Sequence, residues 1–103
     1  MDLDDVGRLA LSHHGVKRKG TEARPAWYVD DRLVVRWLDP TSVVIRSGFA
    51  ERERLVADHP DTFGVPPRFE SHMMVVVELG RADPAAVARA IGEAVELQRG
   101  RPS

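Results

Sequence analysis

The segment AWYVDDRLVVRWLDPTSVVIR, residues 26–46, decides the fold. Aromatic and β-branched residues gather at 26–29 and again at 33–38, and such residues suit a pleated, half-buried surface. Asp30-Asp31-Arg32 separates the two runs as a polar turn. Asp39-Pro40-Thr41 signals a second turn, with Pro at the position whose φ it presets. A third run, 42–46, follows. Three short strands in a row, joined by turns, predict an antiparallel meander rather than a parallel sheet. In the second strand Leu33, Val35 and Trp37 alternate with Val34, Arg36 and Leu38, and Arg36 marks its own set as the outward one.

Upstream, apolar residues at Leu3, Val6, Leu9, Ala10 and His13 follow helical spacing, predicting a helix over 2–13. Its early aspartates oppose the helix dipole, and Gly15 is a natural stop. The stretch 16–26 reads as a polar loop, with Lys17, Arg18, Lys19 and Arg24 against Glu22. Downstream, 48–58 has helical composition, with Ser47 as its cap and Pro60 beyond its end. The short apolar stretch 62–65 meets Pro66-Pro67, which confines it to an edge or a loop. The most apolar strand is 72–79, predicted to be central. Asp83-Pro84 then pairs an N-cap with Pro at the first helical position. The last helix runs to about residue 98, with Val87, Ile91, Ala94, Val95 and Gln98 on one face.

The expected fold is therefore α+β: an antiparallel sheet of about four to five strands, with N- and C-terminal helices packed on one face. One domain spans 1–98, and 99–103 is a short disordered basic tail. Val35, Trp37, Val76 and Ile91 are expected in the core.

Length and composition set limits. The chain has 103 residues, 43% of them hydrophobic, which fits one domain with a modest core. It contains no cysteine, so disulfides, thiolate metal sites and cysteine nucleophiles are excluded. The longest apolar run, 73–77, is too short to cross a membrane, and the acidic N-terminus lacks a signal-peptide core. These features point to the cytoplasm. Fifteen Lys and Arg face sixteen Asp and Glu, giving a net charge of -1, and only Lys17 and Lys19 are lysines.

No catalytic set emerges. His13 and His14 are adjacent and diverge on a helix, while His59 and His72 lack the close spacings of zinc sites, so no metal is expected. Ser12-His13 and Ser71-His72 lie in no nucleophile elbow and have no third partner. Asp30-Asp31 belongs to a turn, and Glu51 and Glu53 alternate with Arg52 and Arg54 on what reads as a solvated helix face. The glycines form no phosphate loop. An enzyme is not expected, and no cofactor is implied.

Basic residues remain: Lys17, Arg18, Lys19, Arg24, Arg36, Arg46 and Arg68. Gathered on one surface they would hold phosphates, with counterion release driving association. Trp27, Tyr28, Trp37 and Phe69 lie near them in sequence and have faces on which bases can stack.

In order and spacing, several stretches resemble the MmcQ/YjbR family of small bacterial proteins. They are Leu3-Asp4-Asp5-Val6-Gly7-Arg8-Leu9-Ala10-Leu11, Gly15-Val16, Pro25-Ala26-Trp27-Tyr28-Val29 with Leu33-Val34-Val35-Arg36, Glu51-Arg52-Glu53-Arg54-Leu55, Pro60-Asp61-Thr62-Phe63 and Met74-Val75-Val76-Val77-Glu78-Leu79. The resemblance covers nearly the whole chain. It implies a CyaY-like fold and a binding role often labelled DNA-binding, with no catalytic reaction or cofactor. The chain departs from that pattern at Val65-Pro66-Pro67-Arg68-Phe69 and His72-Met73-Met74, where relatives commonly carry a Thr-Pro-His-Tyr-like segment followed by Trp.

Two functions follow as expectations. One is weak, sequence-tolerant DNA binding through the basic residues named above. The alternative is a small-molecule or drug-resistance protein with an aromatic pocket formed by Trp27, Trp37, Phe69 and His72.

Overall fold

The computed structural model describes residues 1–100. Three helices, α1 (Leu3–Leu11), α2 (Phe49–Asp58) and α3 (Pro84–Gln98), accompany six strands. The strands are β1 (Lys17–Gly20), β2 (Pro25–Val29), β3 (Arg32–Asp39), β4 (Ser42–Arg46), β5 (Phe63–Gly64) and β6 (Met74–Glu78). They form one antiparallel sheet in the order β1-β2-β3-β4-β6-β5. The α+β fold expected from the sequence is observed, with one strand more than expected. That strand is β1, in the stretch read as a loop. Its Lys-Arg-Lys-Gly sequence has no apolar alternation, because every residue of this edge strand is exposed.

Local chemistry explains the element boundaries. Asp2 and Asp5 form a capping box at the start of α1. Asp83 accepts the Ala85 N–H, and Pro84 opens α3. Ser47 does not cap α2; the N-cap is Gly48, while the Ser47 N–H is drawn into a bond to Met73 O. Asp30 and Asp31 both have positive φ, the conformation that a two-residue hairpin between Val29 and Arg32 requires.

The helices cover one face of the sheet. Trp27, Val35, Val43, Ile45, Val75 and Val77 meet Val6 and Ala10 of α1, Leu55 of α2, and Val87, Ile91, Ala94 and Val95 of α3 in one continuous core. Gly7 lets α1 approach closely: a Cβ there would stand 2.9 Å from the Trp27 indole.

Two expected core positions are corrected, and two hold. Val35 and Ile91 are fully buried. Trp37 is only half-buried, at the end of the sheet where the exposed Arg24 covers it. Val76 is also half-buried: it pairs with Val44 on the helix-free face, while its neighbours Val75 and Val77 point into the core. The run 73–77 is apolar throughout, so composition alone left its parity open. The alternation expected in β3 is also broken. Trp27 pairs with Val35 and Tyr28 with Leu33, so Val34 is an extra residue, a β-bulge. Both Val34 and Val35 are consequently buried in the core.

Strand β6 is not central, because only the two-residue β5 lies outside it. The sheet is centred on β3 and β4 instead. Arg99 and Gly100 are tied back, Arg99 Nη1 donating to His14 O and the Gly100 N–H to Asp30 Oδ2. The rest of the expected tail, 101–103, lies outside the described residues.

These assignments separate two neighbouring substitutions. Val77→Asp places an unpaired carboxylate in the core, at a cost of several kcal/mol, and abolishes the cooperative transition in urea. Val76→Asp faces the open side, keeps the transition and loses only about 1–2 kcal/mol. Two equally destructive substitutions would contradict the parity of β6.

Candidate functional site

Pairing register determines what the helix-free face displays, because side chains of paired residues share a side. Lys17 pairs with Tyr28 and Lys19 with Ala26. Ala26 pairs with Arg36, Arg36 with Val44, and Arg46 with Met74. Arg46 lies two residues beyond Val44 on the same strand, so it shares that side. Lys17, Lys19, Arg36 and Arg46 therefore occupy one face, around a strip formed by Tyr28, Val44, Met74 and Val76. Val44 is fully buried yet lies outside the helix-side core. It is flanked by Arg36 and Val76, and long arginine stems cover apolar surface well.

The four cations differ in how far they are engaged. Lys19 Nζ bonds Asp31 Oδ1 at 3.0 Å and lies 5.3 Å from the Tyr28 ring centre. That bond is the main reason the Asp31 carboxyl titrates below its ordinary value, with the charges of Lys19 and Lys17 adding to it. A lowered carboxylate pKa means the pairing is intact above the ordinary carboxylate value and is lost as pH falls through the lowered one. Arg36 Nη1 donates to Trp37 O at 3.2 Å. Arg46 Nε is buried without a hydrogen-bond partner. Lys17 makes no ion pair among the described residues.

The other candidate residues lie elsewhere. Arg18 pairs with Trp27, which puts it on the helix side, in a cleft beside α1. Arg24 lies 5.2 Å from the Trp37 ring, and Arg68 lies 4.9 Å from the Phe69 ring in a 3-10 turn at Pro67–Phe69. The four aromatic-pocket candidates are dispersed. Trp27 lines the cleft beside α1, and Trp37 lines a second one near Met1 and Leu79. Phe69 and His72 sit together in the segment before β6, where the His72 N–H bonds Phe69 O.

Sequence reasoning missed Arg52, read as one charge of a solvated helix face. It is buried, and its guanidinium donates to four backbone carbonyls: Phe69 at 3.3 Å, Glu70 at 3.0 Å, His72 at 2.7 Å and Met74 at 3.5 Å. Its face lies 4.9 Å from the Phe49 ring. One side chain thus fixes the whole 69–74 segment. Alternation with Glu51 and Glu53 hid it, since nothing in that pattern distinguishes a charge facing carbonyls from one facing water.

Comparison with protein-family models, with curated proteins and with solved structures gave no match. Among the described residues no helix is long and apolar enough to cross a membrane.

Arg52→Leu strands these carbonyls and should cost about 2–4 kcal/mol in urea unfolding. Arg52→Lys should recover only part of that, because an ammonium is a compact charge without the guanidinium fork. Full stability in Arg52→Leu would contradict the role given to this side chain.

Proposed function

We propose that this chain is a small cytoplasmic binding protein of the MmcQ/YjbR type that holds nucleic-acid phosphates on the open face of its sheet. It is a binding module rather than an enzyme. The observation that carries this reading is the collection of Lys17, Lys19, Arg36 and Arg46 on one helix-free face. The helix–sheet–helix order and the motif series at 3–11, 25–36, 51–55 and 74–79 support the family assignment.

The binding has a definite character. Phosphate contacts position a nucleic acid but carry no base information. The face offers arginines, lysines and apolar side chains; of its carboxylates, Asp31 is paired to Lys19, and Glu78 lies with Ser42 at the far end of β4 and β6, so no Asn or Gln stands among the four cations to read base edges. The α3 helix cannot serve as a reading helix, because its apolar face is committed to the core. Affinity is therefore weak, tolerant of sequence and steeply dependent on salt.

With four phosphate contacts, the slope of log affinity against log salt for duplex DNA is about -4. Fluorescence anisotropy of a labelled duplex, titrated across salt concentrations, measures it. Arg36→Ala with Arg46→Ala should reduce the slope by about two. Absence of binding at low salt and high protein concentration would rule out the reading. An unchanged slope in the double variant would remove the open face as the contact surface.

A further inference from the structure

Strand β1 has one unpaired edge, and the hydrogen-bond phase shows which of its peptide groups face outward. The β1–β2 hairpin closes through the Thr21 N–H to Arg24 O bond, with Arg24 N–H turned to Thr21 Oγ1. Antiparallel pairs alternate between those that exchange backbone bonds and those that do not. Thr21 and Arg24 form a bonded pair, so Gly20–Pro25 is not bonded, Lys19–Ala26 is, Arg18–Trp27 is not and Lys17–Tyr28 is. The β2–β3 hairpin gives the same phase independently. Its two-residue turn makes Val29–Arg32 a bonded pair, which leaves Tyr28 facing β1. The N–H and C=O of Arg18 and Gly20 thus point away from the sheet.

The two sides of this edge differ in chemistry. On the open side stand Lys17 and Lys19. On the helix side a cleft of about 540 Å³ runs between α1 and the hairpin, where Leu3, Leu11 and the edge of Trp27 alternate with the charged Asp4, Arg8, Arg18 and Glu22. Leu11 is 50% exposed, one of two large apolar side chains left so open among the described residues. A strand added to β1 would alternate its side chains between these two environments.

From this we propose that β1 is a docking edge for an extended acidic segment of a partner protein, added as a seventh strand. Its acidic residues would lie beside Lys17 and Lys19, and the apolar residues between them would lie against the exposed Leu11 at the mouth of that cleft. Charge complementarity selects this occupant. A second copy of the chain would bring Lys-Arg-Lys against Lys-Arg-Lys, the arrangement by which edge strands resist self-pairing. Backbone bonds supply the affinity, and the two-sided pattern supplies the specificity.

The test uses the full chain and a short fluorescein-labelled peptide in which Glu and Val alternate, with a Lys–Val peptide as control. The Glu–Val peptide should bind and the Lys–Val peptide should not. Leu11→Glu alters an exposed side chain and should weaken binding about tenfold. Arg18→Ala should weaken it a few-fold through lost charge. Arg18→Pro should abolish it, because proline removes an N–H that the β1–β2 ladder does not use. In the unmodified protein, the peptide should slow amide exchange at Arg18 and Gly20, a readout that stands even if Arg18→Pro folds poorly. Arg36→Ala with Arg46→Ala should leave peptide binding unchanged, which separates this edge from the nucleic-acid face. Equal binding of both peptides, equal affinity of the proline and alanine variants, or no new protection at Arg18 and Gly20 would overturn the proposal. So would a concentration-dependent dimer of the unmodified chain that Arg18→Pro dissociates.

Discussion

One extra residue in β3 determines which side of this protein does what. Side chains alternate strictly along a strand, so a register shift of one residue exchanges the two faces. Continued from Leu33 without interruption, the alternation would turn Val35 outward and Arg36 into the core. The bulge at Val34 absorbs the mismatch: Val34 and Val35 both enter the core, and Arg36 emerges on the helix-free face beside Val44. Two constraints meet there. The Asp30-Asp31 turn fixes the register at one end of β3, and the pairing of Val35 and Trp37 with Ile45 and Val43 fixes it at the other. Trp27 stands opposite the bulge and against Gly7 of α1, so the same point also sets how closely the first helix can pack.

That division of faces gives the net charge of -1 a different meaning. Each helix carries one more carboxylate than cation, whereas β1 carries Lys17, Arg18 and Lys19 with no carboxylate at all. A balanced composition therefore conceals an asymmetric field. A polyanion approaching the sheet side meets cations within a Debye length, about 8–10 Å in ordinary salt, while the helix carboxylates on the far side are largely screened. Taken alone, a net charge of -1 argues against an anion-binding role. The local arrangement argues for one, and it is the local arrangement that a ligand meets.

Much of this architecture could be read from the residues. The apolar stripe of α3 at Val87, Ile91, Ala94 and Val95, the Asp83-Pro84 start and the meander over 26–46 each rest on a signal with a direct physical cause. What escaped reading had no such signal. Strand β1 is fully exposed, so it lacks the alternation by which strands are recognised. The run Met73 to Val77 is apolar at every position and says nothing about which residues face inward. Arg52 acts on carbonyls, which every residue has, so no partner pattern exists in sequence to reveal it. The basic cluster was half legible. Its members were identifiable by type, but only pairing register separated Arg36 and Arg46 from Arg18, Arg24 and Arg68.

The position of β1 links the two surfaces. A strand with four exposed residues contributes little burial, so its order depends on the hairpin to β2 and on Gly20, whose positive φ lets the chain turn. Such an edge is exposed to unwanted pairing, and a basic sequence is one of the common defences against it. The defence here is not neutral toward other partners, because the charges that repel a second copy attract any acidic strand. Lys17 and Lys19 also belong to the open face, so an acidic segment on the edge would neutralise two of its four cations. Occupancy of one surface would then weaken the other by charge alone, with no change of shape. Coupling of this kind is reciprocal, and it fades as salt screens the charges that carry it.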